Sequence, residues 1–279
     1  FSRKRSIGMK IFFRKGCDAD RFAGLIEKHH NALANGDNAI VMKRDSKTAL
    51  ARFSLENEKI QSVVVKQYKV SCGMCLIKNI FRNSAGMKAW IAGNGLSVYG
   101  FNTPEPLALM EKKVLGITTD SYLIMEDARD CLEMDRYILM NYHDKSSLSK
   151  LKKKRALINN LAETMGRMHS QNIFHHDLKT CNIMVKEKGR SSYITFLDFD
   201  KVSFEEEITI RKRVKNLTQM NLSTPKLIST TDRLRFLKEY LRQCNIIDEK
   251  KEILREIINL SKAEKILYVS SNGDVTEDW

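Results

Sequence analysis

The first half of the chain alternates short apolar runs with polar turns. Residues 39–42, 49–53 and 60–68 have the apolar, partly β-branched composition that is typical of strands, and polar residues separate the three runs. The same pattern returns at residues 107–110 and 122–125. It predicts five short strands that pair in one antiparallel sheet.

Two helices are predicted in this half of the chain. Residues 19–33 are expected to form a short helix near the N-terminus. Residues 80–98 form an apolar stretch between the third and fourth strands, and we expect a helix there that is weakened by its glycines. Pro104 and Pro106 prevent this second helix from continuing.

The second half of the chain is predicted to be mostly helical. From Ser147 the apolar residues recur at helical spacing, and the pattern ends near Gln171. The apolar face of this helix consists of Leu157, Leu161, Met165 and Met168. Two later groups of apolar residues, within 234–241 and 253–258, predict two more helices.

Three polar residues follow the long helix in the order that phosphoryl transfer requires. Asp177 lies five residues before Asn182, and Asp198 follows sixteen residues later, with apolar runs between them. A catalytic loop of the H-R-D-x-x-x-x-N type has this layout: one Asp orients the acceptor hydroxyl, and the Asn and a later Asp bind Mg²⁺. Either fragment alone could be an ordinary turn, but their order favours the catalytic interpretation.

The strand predicted at residues 60–68 carries a lysine that fits the same chemistry. This lysine, Lys66, directly follows the run Val63-Val64-Val65. Alternation along the strand places the Lys66 side chain on one face of the sheet, where we expect it to contact the α- and β-phosphates of a nucleotide. No Asp or Glu lies between Glu58 and Glu105, so the helix after Lys66 lacks the carboxylate that would orient the lysine.

The turn between the first two strands contains Ser46, Lys47 and Thr48 and is predicted to cover the nucleotide phosphates. It has no glycine. An ordinary charged hairpin turn is therefore the alternative interpretation.

Together these elements predict an α+β, bilobal protein-kinase-like fold. Residues 38–126 would form the small lobe, with a five-stranded antiparallel sheet and one helix. Residues 127–279 would form the larger, mostly helical lobe with its C-terminal helices, and residues 1–37 an N-terminal extension.

Composition narrows the choice of partners. The 279 residues include 48 Lys and Arg but only 34 Asp and Glu, which gives a net charge of +14. This charge indicates an anionic partner: a nucleotide, a phosphorylated substrate, nucleic acid or an anionic membrane. The six cysteines lack the spacing of a disulfide scaffold, so we expect a reducing compartment. No apolar run approaches the roughly 18 residues of a membrane span, and no signal peptide is predicted, so membrane contact would be peripheral.

Three further motifs resemble the lipopolysaccharide core kinase family, bacterial enzymes that phosphorylate Kdo or heptose in the inner core. Residues 100–108 (GFNTPEPLA) resemble its G-x-P-T-P-x-P-L-A passage, with Asn102 in place of the first proline. Residues 198–201 (DFDK) resemble its D-F-D-R, and residues 232–240 (DRLRFLKEY) its D-R-x-R-F-L-x-x-Y. The resemblance covers residues 38–245.

The resemblance implies roles at the matching positions. Asp177 would be the catalytic base, Lys179 would steady the transferred phosphoryl group, and Lys66 would pair with the phosphates of ATP. Glu126 and Ala128 would offer backbone groups to adenine.

The same resemblance implies a metal site, and two positions differ from related kinases. Asn182 and Asp198 would bind Mg²⁺, and Asp200, which replaces the glycine of protein kinases, would place a second carboxylate near the metal. The family usually has a Glu before the Trp of the small-lobe helix, where this chain has Ala89 before Trp90.

ATP, Mg²⁺ and a lipopolysaccharide core sugar are thus the implied ligands, and no nucleic acid is expected. The acceptor is polyanionic, and we expect Arg211, Lys212, Arg213 and Lys215 to meet it. The implied location is cytoplasmic, peripheral on the anionic cytoplasmic face of the inner membrane. The alternatives are a protein or small-molecule kinase on the same fold, and a nucleotide-binding pseudokinase, which the missing helix carboxylate and the glycine-free turn would favour.

Overall fold

The computed structural model describes residues 2–6, 9–15, 19–35, 39–55, 60–69, 83–115, 117–142, 148–189, 191–264, 268–269 and 275–276. The chain divides into two compact units, Phe1–Arg129 and Asp130–Trp279. Within the described ranges, no helix combines the length and the hydropathy needed to cross a membrane.

The first unit is built on one antiparallel sheet. Its strands are β1 (Ser2–Ser6), β2 (Met9–Phe13), β3 (Ile40–Arg44), β4 (Thr48–Ser54), β5 (Ser62–Lys69), β6 (Pro106–Val114) and β7 (Ile117–Glu126). Seven strands pair in the order β1-β2-β6-β7-β5-β4-β3. The five predicted strands are confirmed, and β1 and β2 from the predicted extension lengthen the sheet by two.

Helix α1 (Ala19–Asn35) covers one face of this sheet. Its Phe22, Leu25 and Ile26 pack in an apolar core with Val63 and Val65, which point to that face from β5. The β-branched run explains the strand, because branched side chains pack well on a pleated surface that is buried on both sides.

Helix α2 (Ala85–Val98) lies on the opposite face. Ser84 caps it by accepting a hydrogen bond from the Met87 amide (3.0 Å). A Cβ at Gly86 would lie only 2.6 Å from Ser121 Oγ, so glycine is what allows α2 to approach β7. Residues 80–82, the start of the predicted helix, lie outside the described residues.

The second unit is mostly helical. Its elements are β8 (Leu132–Glu133), α3 (Met134–Tyr142), α4 (Leu148–Ser170), β9 (Ile173–His175), β10 (Ile183–Lys188), β11 (Ser191–Phe196), β12 (Val202–Phe204), α5 (Ile210–Ser223), α6 (Thr230–Gln243), α7 (Lys250–Ala263), β13 (Tyr268–Val269) and β14 (Val275–Thr276). Helices α4, α6 and α7 confirm the three predicted helices, whereas the apolar pattern does not indicate α3 or α5.

Two strand pairs bring the candidate residues together. β9 pairs with β12, and β10 pairs with β11. The connection after β9 ends in a 3₁₀ turn at Thr180–Asn182, and the connection after β11 ends in another at Phe199–Lys201. The His176 amide donates to the Lys201 carbonyl oxygen (2.7 Å), so the two connections are joined directly.

Candidate active site

His175 is buried at the end of β9 and braces the loop that follows. Its Nε2 donates to the Leu197 carbonyl oxygen (2.9 Å), and its Nδ1 accepts from the Asp177 amide (3.2 Å). Because a carbonyl can only accept, this pair of bonds requires the tautomer with its hydrogen on Nε2. Burial lowers the pKa of His175, and the Leu197 bond and the carboxylates of Asp198, Asp177 and Asp200 partly oppose that shift. A neutral His175 therefore supports the loop structurally.

Asp177, Lys179 and Asn182 are held together within this loop. Lys179 Nζ lies 3.0 Å from Asp177 Oδ1, and both side chains are partly exposed. Asn182 Nδ2 donates to the Asp177 carbonyl oxygen (2.8 Å) and lies 3.4 Å from its Oδ2. Among the described residues the Asn182 side-chain oxygen accepts only a long contact from the Cys181 thiol (4.0 Å), so this oxygen can serve a cation.

Asp198 and Asp200 lie on the neighbouring connection. Asp198 adopts the left-handed conformation (φ 54°, ψ 52°), which is uncommon outside Gly, Asn and Asp. The Asp200 carboxylate is largely buried and lies 3.5 Å from Lys201 Nζ. Burial lowers the pKa of His175, and the charges of Asp177, Asp198 and Asp200 each oppose that shift, so all three carboxylates act on this one ring of the second unit.

One face of α5 holds the backbone of the catalytic loop. Asn216 Nδ2 donates to the His175 carbonyl oxygen (2.7 Å). Gln219 Nε2 donates to the His176 carbonyl oxygen (3.0 Å), and its Oε1 accepts from the Leu178 amide (3.1 Å). These side chains fix the backbone on both sides of Asp177.

Ser223 continues the same face of α5. Its hydroxyl accepts from the Thr180 amide (3.0 Å), and its carbonyl oxygen accepts from the Thr180 hydroxyl (2.6 Å). Asn216, Gln219 and Ser223 are spaced by three and four residues, which places them on one side of a helix. They are not among the site residues predicted from the sequence, and polar residues at this spacing are the signal that could have identified them.

Asn216 is supported in turn by a buried histidine of α4. His169 Nε2 donates to Asn216 Oδ1 (3.0 Å), and His169 Nδ1 accepts from the Tyr240 hydroxyl (2.7 Å). Burial lowers the pKa of His169 to about 4, so the ring is neutral at pH 7. A chain of hydrogen bonds thus runs from α6 through α4 and α5 to the loop.

Lys66 lies on the sheet face that α2 covers. Its partner in register on β7 is Leu123, and its Nζ lies 5.1 Å from the centroid of the Tyr68 ring. Helix α2 has no acidic residue, but strand register places the buried Glu111 on the same face, where it accepts from the Ser84 hydroxyl (2.7 Å). The phosphate-binding role of Lys66 stays a prediction.

The β3–β4 turn is closed by a carboxylate. Asp45 Oδ1 accepts from the amides of Thr48 (2.6 Å) and Lys47 (2.8 Å), and Asp45 Oδ2 accepts from the Thr48 hydroxyl (3.0 Å). The hydrogen bond from the Thr48 amide contributes most to holding the pKa of Asp45 well below its usual range. The Lys47 amide and the amide and hydroxyl of Thr48 already form hydrogen bonds within the turn. A phosphate would therefore be bound mainly by the Ser46 and Lys47 side chains. The phosphate-binding role of Ser46, Lys47 and Thr48 stays a prediction.

The segment after β7 contains the predicted adenine contacts. Glu126 ends the strand, and the Ala128 amide forms no hydrogen bond with another residue in the described part of the chain. Asp127 between them accepts from the Ser62 hydroxyl (2.9 Å), which fixes the segment to β5. Adenine binding by Glu126 and Ala128 stays a prediction.

A groove of about 1340 Å³ opens beside the catalytic loop, within the second unit. Its lining includes Asp177 and Lys179 of the loop, Arg211, Lys212 and Lys215 of α5, and Glu252 and Glu256 of α7. Arg213 does not line it, because its Nη1 donates to the Tyr240 hydroxyl (3.2 Å) and to Cys244 Sγ (3.1 Å). The Arg213 guanidinium is held by the end of α6 instead of facing the groove, so the expectation that Arg213 meets an acceptor is wrong.

Comparison with known proteins identifies the family. The sequence model of the lipopolysaccharide kinase (Kdo/WaaP) family matches residues 51–240, which is more than half of the chain. The chain belongs to the lipopolysaccharide kinase (Kdo/WaaP) family. No curated protein sequence matches the chain.

The fold of this lipopolysaccharide kinase is similar to that of a solved structure described as WaaP in complex with acyl carrier protein. The TM-score is 0.66 at 16% sequence identity, and the match covers 91% of this chain and 98% of that chain. The predicted α+β, protein-kinase-like fold class is thereby confirmed. Membership of the family makes the chain a phosphotransferase that acts on a sugar hydroxyl of lipopolysaccharide.

Proposed function

We propose that this kinase uses ATP and Mg²⁺ to phosphorylate a hydroxyl of Kdo or heptose in the lipopolysaccharide inner core. The observation that carries the proposal is the braced loop in which Asp177, Lys179 and Asn182 are in contact. Catalysis of phosphoryl transfer is mostly positioning and electrostatic stabilisation, so a preorganised set of these groups is what the reaction needs.

Each residue of the loop has a chemical task in this proposal. The Asp177 carboxylate orients the acceptor hydroxyl and takes its proton as the oxygen attacks the γ-phosphorus; the bond from that phosphorus to the β–γ bridging oxygen breaks, and ADP leaves. Lys179 Nζ, 3.0 Å from that carboxylate, neutralises charge on the transferred phosphoryl group. His175 and Asn216 do not touch the substrate, and they keep the Asp177 backbone in place.

Asn182, Asp198 and Asp200 would hold Mg²⁺. In the described part of the chain, no group of three His, Cys, Asp or Glu side chains could form an all-protein metal site. Mg²⁺ is usually bound through one or two carboxylates together with water and substrate phosphates, so an amide oxygen with two carboxylates fits this ion. When bound, the metal would neutralise charge on the β- and γ-phosphates.

The first unit would supply the remaining nucleotide contacts. Lys66 would contact the α- and β-phosphates, with help from Ser46 and Lys47, and the backbone of Glu126 and Ala128 would contact adenine. We further propose that the protein works as a peripheral protein on the cytoplasmic face of the inner membrane, because its net charge of +14 is attracted to anionic lipid headgroups.

The test is incubation of the protein with deacylated inner-core oligosaccharide and MgATP, followed by mass spectrometry of the sugar. We expect the gain of one phosphate, which requires both ATP and Mg²⁺. Transfer to a protein or an aminoglycoside but not to the oligosaccharide would favour another kinase specificity. Stabilisation by MgATP without turnover on any acceptor would support a pseudokinase instead.

A second cavity supports a further partner. It has about 350 Å³ and is lined mainly by apolar side chains of helices α3 to α7, among them Ile138, Leu161, Leu217, Leu237 and Ile257. Because the similar solved structure contains an acyl carrier protein, we propose that this cavity takes the acyl chain of such a carrier.

The cavity proposal predicts that an acylated carrier raises the melting temperature of the kinase more than the unacylated carrier does. Leu161→Trp, which fills the cavity, should abolish the difference. An equal effect of both carrier forms on the wild-type protein would exclude the cavity as the acyl site.

A further inference from the structure

The groove beside the catalytic loop has two walls of opposite charge. Helix α5 contributes Arg211 and Lys215, which are one turn apart and therefore project from the same side of the helix. Helix α7 contributes Glu252 and Glu256, again one turn apart. A basic stripe thus lies along one wall and an acidic stripe along the other.

The charges of the two walls do not neutralise each other. Across the described ranges of the chain, none of these four exposed side chains forms an ion pair. Lys212, the other basic residue of the α5 wall, is instead paired with Glu205 (3.0 Å). The Lys215 Nζ lies 5.8 Å from the centroid of the Phe174 ring, a contact that leaves its donors available. The charges on both walls are therefore open to a ligand.

The position of the basic wall indicates what it binds. The reacting hydroxyl must lie within hydrogen-bonding distance of the Asp177 carboxylate, so the sugar that carries it must enter this groove. Arg211 and Lys215 line the same groove as Asp177 and are available to substituents of that sugar. A guanidinium binds carboxylate and phosphate groups with two parallel hydrogen bonds, so an anionic substituent on the reacting sugar suits this wall.

The acidic wall selects a different chemical group. Glu252 and Glu256 would repel an anion, whereas their oxygens can accept hydrogen bonds from neutral sugar hydroxyls. The groove volume of about 1340 Å³ exceeds the roughly 300–1,000 Å³ of pockets that hold one small ligand. There is room for a second sugar next to the one that reacts.

We infer that the acceptor is an oligosaccharide held between these walls, with the anionic substituent of the reacting sugar on Arg211 and Lys215 and the hydroxyls of a neutral neighbouring sugar on Glu252 and Glu256. This inference rests on the proposed function and specifies how its acceptor is recognised. It makes the reaction selective for an anionic sugar that already carries a neutral neighbour.

The experiment measures acceptor binding without nucleotide by isothermal titration calorimetry. The two ligands are the deacylated inner-core oligosaccharide and free Kdo, the anionic monosaccharide. The double variant Arg211→Ala/Lys215→Ala should bind both ligands roughly tenfold more weakly and should lose most of the salt dependence. Glu252→Gln/Glu256→Gln should weaken binding of the oligosaccharide several-fold and leave the monosaccharide unaffected. Lys150→Ala/Lys152→Ala removes the same charge from an exposed part of α4 outside the groove and should bind like the wild type.

The outcomes separate this inference from the proposed function. Unchanged affinity of both groove variants, with a wild-type protein that binds, would overturn the inference and leave the kinase assay untouched. Tighter oligosaccharide binding by Glu252→Gln/Glu256→Gln would overturn the assignment of a neutral neighbour. Weaker binding by both variants, in a wild-type protein that transfers no phosphate with MgATP, would support the groove assignment and refute the proposed function.

Discussion

The hydrogen bonds beneath the catalytic loop can be tested by one substitution. Asn216→Leu keeps the approximate shape of the side chain but removes the donor to the His175 carbonyl oxygen (2.7 Å) and the acceptor for His169 Nε2 (3.0 Å). His169, His175 and Asn216 are all 0% exposed, so water cannot replace the lost partners.

The expected magnitude follows from this burial. Leaving one buried polar group without a partner costs about 1–3 kcal/mol, so two such groups should lower the free energy of unfolding by roughly 2–6 kcal/mol. The loop backbone should also shift, and a displacement of about 1 Å at a reacting group can reduce the rate about 100-fold. We therefore expect kcat to fall about 100-fold with little change in the KM for ATP.

Chemical denaturation and steady-state phosphoryl transfer, corrected for the folded fraction, measure the two effects separately. Asn160→Leu is the matched control: Asn160 donates to the Ser192 carbonyl oxygen (2.5 Å), a similar side-chain-to-backbone bond that does not reach the loop. This control should lose stability and keep its kcat. Asn216→Asp, which retains an acceptor for His169 but not the donor to His175, should still lose kcat. Wild-type kcat in the folded fraction of both Asn216 variants would refute the positioning role.

Three further predictions concern stability and nucleotide binding. The pKa of His169 is lowered from 6.5 to about 4 in the folded protein, so the unfolded chain takes up the proton first as the pH falls. The free energy of unfolding should therefore decrease by up to roughly 3 kcal/mol between pH 6.5 and pH 4. Urea denaturation measures this decrease, which should be smaller for His169→Gln. Gly86→Ala places a Cβ 2.6 Å from Ser121 Oγ and should destabilise the protein by about 1–3 kcal/mol. The control Gly24→Ala has open space around its Cβ and should stabilise α1 by up to about 1 kcal/mol. The same melting temperature for both variants would contradict the close packing of α2. Lys66→Met should lower kcat/KM for ATP at least about tenfold at an unchanged melting temperature, and wild-type kinetics would remove Lys66 from the nucleotide site.

The elements that could be predicted from the sequence are those with an uninterrupted apolar pattern. β5 is buried almost throughout and contains three consecutive valines, and α4 has a regular apolar face, so both patterns are clear. β1 is an edge strand whose sequence, SRKRS, has no apolar residue, which is typical of edges that avoid pairing with another chain. α5 was not predictable from periodicity because Asn216, Gln219 and Ser223 occupy inward positions that apolar residues would otherwise hold.

Some residues of the candidate site could be predicted from a local sequence motif, and others could not. Asp177, Asn182 and Asp198 could be predicted because the spacing of a catalytic loop is a local property of the chain. The supports of that loop are tertiary: Asn216 lies 41 residues from His175, and no local pattern links them. The acidic wall of the groove likewise depends on the packing of α7 near α5, which the sequence of α7 alone does not reveal.

The role of Asp177 is tested by measuring phosphate transfer to the inner-core oligosaccharide by Asp177→Asn, together with the MgATP affinity of the same protein. Loss of the catalytic base should lower kcat by about 10²- to 10⁴-fold, while the melting temperature and the MgATP affinity stay at their wild-type values. Transfer at close to the wild-type rate would show that Asp177 does not activate the sugar hydroxyl.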